Sequence, residues 1–281
     1  MITGAAGMLG QAVVRAAGRA GEEVHACSRA ELDITDEAAV AEAVRRLAPD
    51  TVVNLAAWTD VDGAESDPGG AFAVNGAGAG HVALAAAAVG ARVVHVSTDY
   101  VFDGAAGEPY VESDATGPRS VYGASKLEGE QRVAAAGAPF AIVRTSWLFG
   151  AGGGNFVDTM LRLAGEGRSE LRVVDDQVGC PTWTGHLAPA MLELVRTRAE
   201  GILHVAAAGH CSWNGLAREV FAQAGLDVRV LPQSTADSRR PAPRPANSVL
   251  LSERPQAPRL PDWREGVRGH LAAVSVGGGA R

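Results

Sequence analysis

The sequence predicts an α/β fold, a doubly wound parallel sheet followed by a smaller region of looser order. Three observations carry this. Apolar runs of strand length alternate with helix-period stretches through the first half of the chain. A glycine-rich turn joins the first run to the first helix, and after Arg144 the alternation gives way to shorter, less regular segments. The 281 residues, 47% hydrophobic and 20% charged, suffice for one large α/β unit or two smaller ones with a sizeable core.

Met1-Ile2-Thr3 reads as a first strand that is short at its start, since such strands usually have about five residues, and it suggests that the natural start lies upstream. Residues 11–20 are helical, and further strands are expected at 23–26, 51–55, 92–97 and 140–144. Between them, 36–47 carries Val40, Val44 and Leu47 on one helical stripe, and 71–88 is small and apolar enough to be buried helix. Crossovers of that length make the strands parallel. A helix opens at Val121 and runs to Ala136. Beyond Arg144, helices are expected at 156–163, 186–198 and Trp213–Ala224, the last capped by Ser212, with strands at 171–174, 202–205 and 228–231. Residues 232–261, rich in Pro, Arg and Ser, read as loop draped over something, and 277–281 as mobile tail. The expected division is a nucleotide-binding unit over 1–147, a mainly substrate-binding region over 148–270 and a flexible end over 271–281, with segments near 184–206 packing back on the first unit.

Net charge is −7 without a basic run, which offers nothing to a nucleic-acid backbone or an anionic membrane and favours a small-molecule partner. No apolar stretch approaches about 18 residues and no signal-like segment opens the chain, so a cytoplasmic location is expected. Cys27, Cys180 and Cys211 are odd in number and far apart, as reduced thiols are, and the seven histidines form no ligand-spaced cluster; no metal is expected.

Gly4, Gly7 and Gly10 recur at three-residue spacing between strand and helix. Such glycines let the backbone approach a pyrophosphate, which the helix N-terminus stabilises, in the manner of a Rossmann-type dinucleotide site. At the second strand's end stand Cys27-Ser28-Arg29, without the carboxylate that would grip a free ribose 2′-hydroxyl. Arg29 suits a 2′-phosphate, so NADPH is expected, with NADH the alternative; Asp33 lies slightly later and could contact the adenine.

Lys126 is the only lysine in the chain and follows Tyr122, one of three tyrosines, by four residues. On a helix the two side chains share a face. A phenol titrates near about 10, and a neighbouring ammonium is expected to move it down towards a pH at which it exchanges protons with a carbonyl or hydroxyl. The alternative is a surface Tyr-Lys pair.

Together these segments resemble the extended short-chain dehydrogenase/reductases, and within them the dTDP-4-dehydrorhamnose reductase family. The resemblance runs through Leu32-Asp33-Ile34-Thr35, Pro49 to Ala57, Val61-Asp62-Gly63-Ala64-Glu65, Ala73-Val74-Asn75, Ser97-Thr98-Asp99-Tyr100-Val101-Phe102-Asp103-Gly104, Tyr122 to Lys126, Arg144-Thr145-Ser146-Trp147 and Val174 to Thr182, and more weakly through Arg244 to Leu250. By resemblance, Thr98, Tyr122 and Lys126 are the catalytic set, reducing the C4 ketone of a dTDP-4-keto-6-deoxy sugar, dTDP-4-dehydro-L-rhamnose first among them. The implied cofactor set comprises the three glycines with Ala5, Met8, Leu9, Ser28, Arg29, Asp33, Ile34, Leu55, Ala56, Ala57, Thr59, Asn75 and Ser97, besides Tyr122 and Lys126. Thr98, Asp99, Tyr100 and Trp147 are the implied substrate contacts, with core filling the alternative for Trp147. The resemblance leaves room for a homodimer.

Some members of that family bridge a dimer through glutamate-bound magnesium; here Ala12 and Gly185 or His186 stand at those positions, and no metal is carried over. Leu251-Ser252-Glu253-Arg254 also departs from the family's aspartate-led helix start. Sugar-nucleotide dehydratases of like fold have Asp-Glu after the threonine, whereas Asp99 is followed by Tyr100; epimerases hold NAD and usually carry serine in place of Thr98. A 4-ketoreductase for another dTDP-deoxysugar, as in the route to dTDP-dihydrostreptose, and a non-catalytic regulatory subunit like that of methionine adenosyltransferase remain as alternatives.

Overall fold

The computed structural model describes residues 1–277. The chain builds β1 (Ile2–Thr3), α1 (Met8–Arg19), β2 (Ala26–Cys27), α2 (Glu37–Leu47), β3 (Thr51–Asn54) and α3 (Val61–Ser66). A continuous helical run follows as α4 (Pro68–Phe72), a π-helical stretch over Ala73–Gly78, and α5 (Ala79–Ala88). Then come β4 (Arg92–Thr98), α6 (Val121–Ala135), β5 (Phe140–Thr145), β6 (Leu148–Phe149), α7 (Phe156–Gly165), β7 (Glu170–Val174), β8 (Val178–Gly179) and β9 (Thr182–Trp183). The last elements are α8 (Thr184–Thr197), β10 (Gly201–His204), β11 (Cys211–Ser212), α9 (Trp213–Ala224), β12 (Arg229–Gln233), α10 (Thr235–Ser238) and α11 (Trp263–Gly277).

Six parallel strands form the main sheet in the order β10-β5-β4-β3-β1-β2. Chain order reverses between β1 and β3, which opens a crevice at their carboxyl ends. On one face, Val13 and Ala16 of α1 and Leu187, Met191 and Leu194 of α8 pack against Val94, Val143 and Leu203. On the other, Val40 and Val44 of α2, Val82 and Ala86 of α5 and Val133 of α6 pack against Val52, Val93 and Ile142. Because β10 is the sheet's edge strand and α8 lies beside α1, residues 184–206 belong with the sheet. A separate core gathers Val157, Leu216, Val220, Trp263 and Val267 from α7, α9 and α11.

The helical run Pro68–Ala88 is long and apolar enough by composition to cross a membrane, yet more than half of that stretch is buried against α2, α6 and the sheet. Four expectations are corrected. The second strand sits at Ala26–Cys27 rather than 23–26, because its partner β1 offers only Ile2 and Thr3 for pairing. The loop over 232–261 contains the end of β12 and the short α10. Residues 71–88 are helical but not uniformly α, since the π stretch interrupts them. Residues 271–277, expected as a flexible end, continue α11, whose stripe of Trp263, Val267 and His270 is buried. The remaining residues of the expected tail, 278–281, lie outside the described residues.

Candidate active site

A cavity of about 1030 Å³ runs along the carboxyl edge of β1, β3, β4 and β5 and on towards β7 and β12. Its floor at one end is the glycine turn. Gly4 has φ +65°, and a Cβ there would lie 2.6 Å from the backbone nitrogen of Ala56; a Cβ on Gly10 would meet the carbonyl oxygen of Gly4 at 2.2 Å. These two glycines let β1, α1 and β3 approach one another. Gly7 caps α1 without a side-chain hydrogen bond, and the first turn of α1 holds no acidic residue. The helix therefore presents uncapped N–H groups and a positive dipole end to the cavity, which fits a pyrophosphate.

Of the expected cofactor residues, Met8, Leu9, Arg29, Asp33, Ile34, Leu55, Ala56, Ala57, Thr59 and Ser97 line the cavity with the three glycines, Tyr122 and Lys126. Ala5, Ser28 and Asn75 do not. Ser28 donates its backbone N–H and its hydroxyl to Glu31 at 2.8 and 2.7 Å. The Asn75 amide brackets Trp58, accepting its N–H at 2.8 Å and donating to its carbonyl at 3.1 Å, and also donates to the Ser125 hydroxyl at 3.0 Å. Asn75 thus ties the loop after β3 to α6 from within the π-helical stretch. At the far end, Arg29 Nε lies 3.5 Å from Asp33 Oδ2, with the arginine side chain 81% exposed. Hydrogen bonds from Thr35 hold the Asp33 carboxyl below the usual carboxylate range.

The three catalytic candidates converge. Thr98 ends β4, and Tyr122 lies in the first turn of α6, where the Ser120 hydroxyl accepts the N–H of Gly123 at 3.1 Å as the N-cap. A Cβ on Gly123 would meet the Tyr100 carbonyl oxygen at 2.2 Å, so α6 starts hard against the turn that follows Thr98. Lys126, one helical turn on, is buried and donates from Nζ to the Val96 carbonyl at 2.7 Å. Burial pushes its ammonium down to about 8, opposed by the charge of Glu130.

The expected direction for Tyr122 is overturned. Burial raises its phenol above the ordinary value, the charges of Asp99 and Tyr100 add to this, and hydrogen bonding with the Thr98 side chain opposes it. Lys126 is not among the causes, since its ammonium is held on Val96. Thr98 itself accepts the N–H of Tyr100 at 3.2 Å and donates to Asp99 Oδ1 at 2.9 Å, so its own proton faces Asp99. Asp99 is 2% exposed, its Oδ2 is unpartnered and burial raises its carboxyl to about 6.

Of the expected substrate contacts, Thr98, Asp99, Tyr100 and Trp147 all line the cavity. Trp147 also stacks on Trp213 with ring centroids 3.5 Å apart and planes within 3°, so it serves both pocket and packing. Its φ of 49° is a conformation bulky residues rarely take. The Trp213 stack and the hydrogen bond from the Thr182 N–H to its carbonyl hold it there. Sequence reasoning missed Trp213, Arg172, Arg240 and Arg244 of the same wall. For the last two the usable signals were the arginine content of the loop over 232–261 and, for Arg244, its place at the head of the segment Arg244 to Leu250 that shares the family resemblance. Among the described residues no group of three or more His, Cys, Asp or Glu side chains gathers to hold a metal ion.

The chain matches the family described as RmlD substrate binding domain over residues 1–276. It is 48% identical over 271 residues to a dTDP-4-dehydrorhamnose reductase of Streptomyces griseus, covering 94% of this chain and 89% of the relative. A probable dTDP-4,6-dihydroxy-2-methyloxan-3-one 4-ketoreductase of Streptomyces antibioticus is 43% identical, covering 95% of this chain and 92% of that one. A solved dTDP-4-dehydrorhamnose reductase of Bacillus anthracis, in complex with NADP, is 38% identical with a TM-score of 0.94, covering 97% and 98% of the two chains. With a match that spans nearly its whole length, the chain belongs to the dTDP-4-dehydrorhamnose reductase family.

Proposed function

We propose that this protein is an NADPH-dependent reductase of the C4 ketone of a dTDP-4-keto-6-deoxy sugar, converting dTDP-4-dehydro-L-rhamnose to dTDP-L-rhamnose. The observation that carries this is the convergence of Thr98, Tyr122 and Lys126 beside a glycine turn in one cleft. Bound NADPH supplies hydride to C4. Tyr122 supplies the proton at the C4 oxygen: a phenol held in its protonated form by burial is an acid in waiting, and the charge developing on that oxygen draws the proton across. Thr98 holds the same oxygen once its hydroxyl turns from Asp99. Lys126, tied to the Val96 carbonyl before ligands bind, lines the same cleft, and its ammonium becomes available to the negative charge that proton transfer leaves there once it lets go of Val96.

Ammonium loss sets the alkaline limit. Since burial brings Lys126 down to about 8, it is charged below that pH and loses its proton above it. kcat/KM for the keto sugar is expected to fall above about pH 8, and a pH profile of Lys126→Met should lack that limb. Arg29→Ala is expected to narrow the preference for NADPH over NADH by about 10-fold, through loss of a charge-assisted contact with the 2′-phosphate. An unchanged ratio of kcat/KM for the two cofactors would remove Arg29 from that role.

A second reading, 4-ketoreduction of another dTDP-deoxysugar, is favoured by the 43% identity to the Streptomyces antibioticus relative. Incubating the protein and NADPH with dTDP-4-dehydro-L-rhamnose beside related keto sugars, and following loss of nicotinamide absorbance, separates the two. Oxidation of NADPH with none of them rejects both and leaves a regulatory protein.

A further inference from the structure

At its Arg240 and Arg244 end the substrate arm of the cleft carries more positive charge than a neutral sugar requires. Arg172, Arg240 and Arg244 line it, with Asp99 nearby, Asp175, Asp176 and Asp237 bordering an adjoining pocket beside Arg172, and Asp33 at the opposite end beside Arg29. Among the described residues the Arg172 guanidinium has no partner. Arg240 and Arg244 are drawn together by one acceptor. Asp62 Oδ2 accepts from Arg240 Nη1 at 3.1 Å and from Arg244 Nη2 at 2.9 Å, while its Oδ1 accepts the N–H of Ala242 at 3.2 Å. One carboxylate shared between two guanidinium groups leaves a net positive charge at the rim.

Arg244 is fixed with respect to the reacting centre. Its Nη1 donates to the Tyr100 hydroxyl at 3.3 Å, and its guanidinium lies 5.9 Å from the centre of that ring. Tyr100 in turn meets Tyr122 edge to face, with ring centroids 5.5 Å apart. One aromatic ring thus separates Arg244 from the catalytic phenol. In a pyranose with its ketone at C4, the anomeric oxygen is at the opposite corner, so an attached diphosphate lies about one ring width from the carbon that Tyr122 serves. The other three cations of the cleft are placed differently: Lys126 is buried on Val96, Arg29 is at the far end, and Arg172 also borders a second pocket that it shares with Asp175, Asp176 and Asp237.

We propose that Arg240 and Arg244 form the diphosphate subsite of the substrate arm, held in place by Asp62 until a nucleotide binds; this rests on the sugar-nucleotide reading above. Planar guanidinium forks suit phosphate oxygens, and two of them match a linker with one negative charge on each phosphate. Arg240, whose side chain is 65% exposed, swings in; Arg244, at 15%, is already seated.

Calorimetric titration of dTDP, UDP, thymidine and uridine into wild type, Arg240→Gln and Arg240→Gln/Arg244→Gln tests the assignment, with NADP⁺ binding as the check on the fold. The Kd for dTDP should rise about 5-fold in the single variant and about 50-fold in the double, with thymidine changed less than 2-fold. Equal weakening of dTDP and thymidine, or an unchanged dTDP affinity, overturns the subsite. Should the double variant lose NADP⁺ binding, the single variant and the salt dependence of the wild type decide: dTDP affinity must fall more steeply with KCl than thymidine affinity. Wild type that binds UDP but not dTDP rejects the thymidine nucleotide in the proposed function, and UDP against uridine then judges the arginines in the same way. Wild type that binds neither diphosphate sinks both.

Discussion

Tyr122→Phe is expected to lower kcat for ketone reduction about 100-fold or more, with NADPH affinity nearly unchanged. The substitution removes one oxygen and leaves the ring, so the edge-to-face contact with Tyr100 and the start of α6 are preserved. What disappears is the acid proposed to protonate the C4 oxygen. Asp99 cannot take its place while it is held on the Thr98 hydroxyl. Lys126 is bound to the Val96 carbonyl and would have to leave it. Single-turnover measurement of nicotinamide absorbance reads the chemical step directly; full activity would exclude Tyr122 from proton transfer.

Glu130→Ala should cost about 3 to 5 kcal/mol of stability, the range for removing one partner of a buried ion pair. Arg144 Nε and Nη2 donate to the two carboxylate oxygens of Glu130 at 2.9 and 2.7 Å, and both side chains are 3% exposed. Arg144 Nη1 already lacks a partner, and the guanidinium lies 5.1 Å from the Phe102 ring centroid. Without Glu130 the cation is stranded between sheet and helix. Chemical denaturation should show the midpoint falling with an unchanged slope. A double variant, Glu130→Leu/Arg144→Met, should recover most of the loss, since apolar side chains of similar size need no counter-charge. Activity should respond separately. Glu130 follows Lys126 by one turn of α6 and its charge opposes the downward shift of that ammonium, so its removal lowers Lys126 further and moves the alkaline limb of kcat/KM below pH 8.

Much of the site was legible because its parts are local in sequence. The three glycines fall within seven residues, from the turn after β1 into the first turn of α1, and Tyr122 and Lys126 share a helical face by spacing alone. The strands β3, β4 and β5 were placed within about a residue of their observed ends, because each is built around Val or Ile residues and is buried along nearly its whole length, the polar Asn54, His95 and Arg144 included. β2 and α11 were less legible. β2 lies at the sheet edge with little apolar content, and its extent follows from β1 rather than from its own side chains. The stripe of α11 is sparse, and its burial depends on α7 and α9 meeting it.

By itself the sequence determined the fold class, the strand-helix alternation of the first half and the glycine turn, which follow from periodicity and short spacing; the Tyr122 and Lys126 pairing follows from helical spacing, whereas Thr98 entered the candidate set through the family resemblance. Only the tertiary structure decided the direction in which the Tyr122 phenol shifts, the use of Asn75 to bracket Trp58, and the gathering of Arg240 and Arg244 on Asp62. The arginine contacts span 178 and 182 residues of chain. The physical reason is the same in each case: burial and charge are properties of the space around a group, and that space is assembled from segments distant in sequence.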